Sequence, residues 1–194
     1  MNIPATTVVI ETLGCFNLSI GGKRVAIDWP DETVKVFFCS LLSPLDLYFT
    51  WDRICRALLG GAESRSHRRQ LEERFLRPLH HFLTREIGFN PLIVTAEGIR
   101  IDPHGLSIDA FEFHSDVVAG LSLMSLGNLV GAREKFSRAN DLYAGSYLPG
   151  VKGKIIENTR NELESLYRTA VMDGIWQTRT PLKSVQSIAK RIET

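Results

Sequence analysis

The apolar residues of this chain switch from every second position to every third or fourth, switch back, and then keep the helical spacing to the end. That order describes a mixed α+β unit followed by an all-helical one. Val8 and Ile10, then Phe16, Leu18 and Ile20, alternate with polar or outward residues. Gly21-Gly22 supplies a hairpin turn, and Val25-Ala26-Ile27 starts a return strand. A helix capped by Asp31 runs through Val34, Phe37, Phe38, Leu41 and Leu42 as far as Pro44. A second covers Thr50 to Leu59 and stops at Gly60-Gly61. A third starts near Ser64 and continues to Glu86, ahead of Gly88. Leu92-Ile93-Val94 and Ile99-Arg100-Ile101 flank Ala96-Glu97-Gly98 as a second hairpin.

Asp102-Pro103-His104-Gly105 interrupts the pattern, and everything after it reads as helix: Phe111 to Leu123, Leu126 to Tyr143, Ile155 to Trp176, and a short segment from Leu182 to Ile192 after Pro181. The expected division is 1–105 and 106–194. Sheet, three helices and hairpin together describe a winged helix-turn-helix, in which the third helix can enter the DNA major groove. The overall expectation is an α+β chain: an N-terminal winged helix (small antiparallel sheet, three helices, C-terminal hairpin) followed by an all-α, tetratricopeptide-like helical domain. The stripe from Ala132 and Phe136 through Ala139, Leu142 and Tyr143 is of the kind by which such helical hairpins stack.

The third helix is polarised. At about 100° per residue, Leu71, Phe75, Leu76, Leu79, Phe82 and Leu83 share an arc of about 140°. Ser66, His67, Gln70, Glu73, Arg74, Arg77 and His81 lie opposite, and arginine and glutamine are the side chains that reach guanine and adenine edges. Between Ser64 and Arg85 six arginines stand against Glu72 and Glu73. The whole chain carries only +1, so affinity for a polyanion has to come from this local excess. The candidate DNA contacts are Arg65, His67, Arg68, Arg69, Gln70, Arg74, Arg77 and His81, with Arg100 on the hairpin. Gln70, Arg74 and Arg77 are expected to face the major groove together.

Signals for other chemistry are weak. Gly145 and Gly150 have phosphate-loop spacing, but Val151 stands where the lysine belongs. No G-x-S-x-G, H-E-x-x-H or G-x-G-x-x-G is present. Cys15, Cys39 and Cys55 form no C-x-x-C pair, and Cys39 and Cys55 fall on apolar helix faces. The expectations are therefore a cytoplasmic regulator, not an enzyme, with no cofactor, metal or membrane partner.

The residues resemble the OmpR-type winged helix followed by the bacterial transcriptional activator domain, as in the antibiotic regulatory protein family and the carboxyl end of large ATP-dependent regulators. The resemblance runs from about Val8 to Val171. It is carried by Glu11-Thr-Leu-Gly14-Cys-Phe16 with Leu18 and Gly22, by Leu76, Leu79 and Leu83, and by Ile108-Asp109-Ala-Phe111-Glu112. Its most specific marks are Leu142-Tyr143-x-Gly145-x-x-Leu148-Pro149-Gly150 and Arg160-x-x-Leu163-Glu164-x-Leu166-Tyr167. It implies a promoter-binding regulator whose partners are double-stranded DNA, RNA polymerase or other regulator domains, and a second protomer. Two positions depart from the family. Pro78-Leu79-His80 replaces a frequent Arg-Leu-Arg, and Leu58-Leu59-Gly60 replaces a Leu-Trp-Pro type sequence. A mid-helix proline predicts a kink or a division of the third helix. Pro78, His80 and the near-neutral charge support a second reading, a protein-interaction scaffold of the same fold that has lost DNA binding.

Overall fold

A computed structural model describes residues 8–46 and 48–179; the segment Leu182 to Ile192, read above as a last helix, lies outside them. The chain opens as an antiparallel meander of β1 (Val8–Glu11), β2 (Asn17–Ile20) and β3 (Lys23–Val25), with Val8 opposite Ile20 and Leu18 opposite Val25. Gly21 and Gly22 both take positive φ, 57° and 77°, the backbone that a two-residue turn requires when it follows the strand twist. A strand that the pattern did not suggest, β7 (Leu106–Ile108), pairs with β1 in parallel, which makes the order β3-β2-β1-β7. Three residues directly after a loop are too few to display a period.

Three caps written in the sequence start the next helices. Asp31 accepts from the Thr33 amide at the start of α1 (Glu32–Leu41), Thr50 from Arg53 at α2 (Trp51–Leu58), and Ser64 from His67 at α3 (Arg65–Leu71). A short β4 (Phe49–Thr50) precedes α2. It joins β5 (Leu92–Val94) and β6 (Gly98–Ile101) in a second sheet of order β4-β6-β5.

The third helix is neither broken nor divided by Pro78. Between α3 and α4 (Arg77–Ile87) lies a wide, π-helical turn, Glu72–Leu76, in which the Arg77 amide reaches back five residues to the Glu72 carbonyl. Backbone angles stay helical throughout, from −62°, −48° at Glu72 to −63°, −49° at Arg77. Pro78 sits in the first turn of α4, where its missing amide hydrogen is tolerated. Leu71, Phe75, Leu79, Phe82 and Leu83 are buried along it.

The rest is helical: α5 (Asp109–Ser125), α6 (Leu129–Leu142), α7 (Lys154–Leu166), a second wide turn Tyr167–Met172, and α8 (Asp173–Arg179). Gly120 of α5 and Gly174 of α8 both press on the ring of Phe136 in α6. A Cβ on either would come within 2.7 Å of that ring. No helix among the described residues is long and apolar enough to cross a membrane.

Two buried clusters interlock. Leu13 and Cys39, from the first half of the sequence, belong to the cluster around Phe113, Phe136 and Leu163; Ile155 of α7 belongs to the cluster around Phe38, Trp51 and Leu79. Asp109 ties the junction: its carboxylate accepts from the Thr12 amide at 2.8 Å, the Thr12 hydroxyl at 2.6 Å and the Leu13 amide at 2.9 Å. The connector of 145–151 docks on the same edge. The Leu148 amide donates to Thr12 O, and the fully buried Tyr147 hydroxyl donates to Cys39 O. Arg160 donates to the carbonyls of Tyr147, Leu148 and Val151, each within 2.9 Å. These bonds hold Leu148 at a positive φ of 43°, which a leucine adopts only under such constraint. The connector and α7 residues of the family resemblance thus do structural work.

Candidate nucleic-acid interface

α3, the wide turn and α4 form one rod whose exposed side faces the β5–β6 hairpin across an open groove of about 630 Å³. Trp51, Leu76, Leu92 and Val94 supply its apolar lining. Arg65, Arg68, Arg69, Glu72, Arg77, His80 and His81 line it with charge and ring nitrogens, and Asn90 adds an amide. The wide turn decides this set. In a regular α-helix residues five apart point about 140° from each other, whereas a π turn brings them nearly into line. Arg77 accordingly pairs with Glu72 at 3.1 Å, and Leu76, read above as core, lines the groove.

Of the nine positions read from the sequence, the structure brings together Arg65, Arg68, Arg69, Arg77 and His81. Four stand apart. His67 is turned back, its Nδ1 donating to the Ala62 carbonyl at 2.6 Å over the Gly60-Gly61 turn. Gln70 is half-buried and lines no part of the groove. Arg74 is exposed but opens on a different cleft, shared with Glu32, Thr33 and Lys154. The expectation that Gln70, Arg74 and Arg77 share one face is therefore corrected: uniform 100° steps fail across a π turn. Arg100 is exposed between Ile99 and Ile101, both buried, so it occupies the outer face of the hairpin, away from α3 and α4.

The cations differ in freedom. Arg68 stacks on Trp51 with 4.0 Å between guanidinium and ring, donates to Ala96 O at 3.3 Å and pairs with Glu63, so it holds the hairpin tip. Trp51 reinforces that hold by donating from Nε1 to Thr95 O. Arg69 pairs with Glu73 at 2.8 Å and Arg77 with Glu72, yet 79% and 66% of their side chains stay exposed. The Arg69 guanidinium holds the Glu73 carboxyl below its ordinary range, so the pair stays charged. Arg65 has no ion pair among the described residues. Sequence reasoning missed Trp51, Glu72, Leu76, His80, Asn90, Leu92 and Val94 as parts of the site, since their approach depends on the wide turn and on the hairpin folding back, which no local pattern displays.

Cys39 and Cys55 are buried, and burial pushes the Cys39 thiol up to about 12.

No family model matches the chain, and no curated protein matches it. Among solved structures it is similar to Mycobacterium tuberculosis EmbR in complex with a low affinity phosphopeptide. The TM-score is 0.61 and the identity 18%, over 86% of this chain and 43% of EmbR. The chain thus spans less than half of EmbR's length. The likeness is one of fold: a mixed α+β chain with small sheets and mostly helical content.

Proposed function

We propose that the chain is a DNA-binding transcription regulator, with residues 1–105 as a winged helix and 106–194 as a helical, tetratricopeptide-like effector domain. The observation that carries this reading is the placement of Arg65, Arg69 and Arg77 on one open side of an unbroken helix beside a hairpin. The similarity to EmbR in fold and the resemblance to the bacterial transcriptional activator family support it, and EmbR's complex with a phosphopeptide supports protein partners beside DNA.

Exposed ion pairs contribute only about 0–1 kcal/mol. Arg69 and Arg77 therefore exchange Glu73 and Glu72 for phosphate or a guanine edge at little expense. Arg65 meets phosphate directly. Arg68 acts as a positioning residue that fixes the hairpin against α3. The release of counterions from the duplex supplies the affinity, so binding weakens steeply with salt.

The test is titration of promoter DNA at several salt concentrations. Arg65→Ala, Arg69→Ala and Arg77→Ala should each lower the salt slope by about 0.9, while Arg133→Ala on α6 leaves it unchanged. Unchanged affinity and slope for all three would remove the assignment. Pairing of Arg68, Arg69 and Arg77 with carboxylates favours a second reading, the scaffold without DNA binding. Bulk DNA at low salt separates the two, because a winged helix that retains its cationic face binds there regardless of sequence.

A further inference from the structure

The groove beside α3 and α4 has a second wall besides its cations. β5 is an edge strand, with β6 on one side and, among the described residues, no strand on the other. Its register fixes which backbone groups are unpaired. The Asp102 amide donates to Pro91 O at 2.7 Å and the Thr95 amide to Gly98 O at 2.8 Å, while Ile93 stands opposite Arg100 midway between them. In an antiparallel ladder these three pairs point inward, and the residues between them, Leu92 and Val94, point N–H and C=O outward. The Leu92 amide is taken by Asn90 Oδ1 at 3.2 Å. The Val94 N–H and C=O and the Leu92 C=O have no partner among the described residues. The side chains of Leu92 and Val94 line the groove, and Val94 is 53% exposed.

An edge with free backbone groups, an apolar floor at Leu76 and Val94, and a rim of Arg65, Arg69 and Arg77 together describe a receptor for one kind of ligand. We infer that the groove takes an extended acidic peptide segment, which adds as a further strand to β5. Its main chain bonds to Val94 and Leu92, and every second side chain, those on the face turned to α3 and α4, enters the groove: carboxylates meet the arginines and an apolar side chain among them rests on Leu76 and Val94. A helical segment does not satisfy the edge, and a basic one does not satisfy the rim. The inference rests on the DNA reading above in one respect, its consequence: peptide and duplex claim Arg69 and Arg77 and exclude each other, so an acidic segment would be a negative regulator of DNA binding.

The probe is a fluorescent synthetic peptide, roughly eight residues long, with serine at every second position and glutamate and valine taking turns at the positions between, so that one face carries both; it is titrated into the full chain at low salt without DNA. Its lysine-valine counterpart and a single-stranded oligonucleotide serve as comparison arms. Val94→Pro removes the outward amide hydrogen but leaves the β5–β6 ladder intact, since proline is accepted at an edge position facing solvent. Acidic peptide should bind, lose about tenfold affinity in both Val94→Pro and Arg77→Ala, and displace duplex. Thermal melting monitors the fold of each variant. Should Val94→Pro unfold, wild-type protein with peptides N-methylated at successive positions provides the same discrimination, because strand addition loses affinity at alternate positions only. Affinity unmoved by both changes would reduce the contact to charge and overturn the inference, as would equal binding of the basic peptide or binding of the oligonucleotide alone. Peptide binding with the strand signature in a protein that ignores duplex DNA would sink the regulator reading and leave this one standing.

Discussion

At the scale of single residues, polar side chains placed between segments decide more than the apolar ones do. Asp109 satisfies two backbone amides and a hydroxyl of Thr12 and Leu13, and Thr12 is fully buried, so nothing else is available to those donors. His114 shows the opposite situation. It is half-buried on α5 beside Pro44, Phe111 and Val118, and that burial lowers its pKa below the ordinary 6.5. A histidine that releases its proton more readily when folded lets the unfolded chain bind more protons, beginning near 6.5. Its contribution to stability is therefore present above 6.5 and lost as the pH falls through the lowered folded value. Thermal melting between about pH 7 and pH 5 should show a smaller loss of midpoint in His114→Gln than in the parent. Parallel slopes for the two proteins would mean that the ring stays hydrated at all pH values.

At the scale of elements, the α3–α4 rod shows where reading from sequence succeeds and where it fails. Its caps, its length, its buried stripe and its excess of arginine were legible, since each depends on local chemistry. The sharing of one face by Gln70, Arg74 and Arg77 was not, because a helical wheel assumes 3.6 residues per turn throughout. One local signal for the wide turn was nonetheless present: Pro78 lacks the amide that a regular helix would place against Arg74 O. The four-residue spacing of Leu71, Phe75 and Leu79 drifts only about 80° and fits a regular helix as well. Burial of Leu71, Phe75, Leu79, Phe82 and Leu83 holds the rod in its register independently of the proline. Pro78→Ala should accordingly keep the turn, change stability by no more than about 1 kcal/mol and leave the salt slope of DNA binding untouched. A shifted slope would show that the proline alone sets the register of Arg69 and Arg77.

At the scale of the molecule, the order of elements was readable, but their mutual attachment was not. β4 and β7 have two and three residues, too short for a period, and they are the strands that join distant segments: β4 to the hairpin, β7 to the opening strand. The exchange of residues between clusters is equally invisible in a linear reading, since it needs Leu13 to lie against Tyr147 and Ile155 to lie among the residues around Phe38. This interlock has a thermodynamic consequence. If each cluster were a separate unit, a cavity in one would lower one melting transition and leave the other in place. Here Leu13 lies on the connection between β1 and β2 but packs in the helical cluster, and Ile155 is carried by α7 but packs in the opposite one. Loss of either removes support from both. Leu13→Ala and Ile155→Ala should each cost about 2–5 kcal/mol, and each should move one common calorimetric transition whose van't Hoff and calorimetric enthalpies agree. Two separable transitions, with Leu13→Ala shifting one and Ile155→Ala the other, would show instead that the halves unfold independently. The connector of 145–151, bonded on one side to Thr12 and Cys39 and on the other to Arg160, would then carry no cooperativity between them.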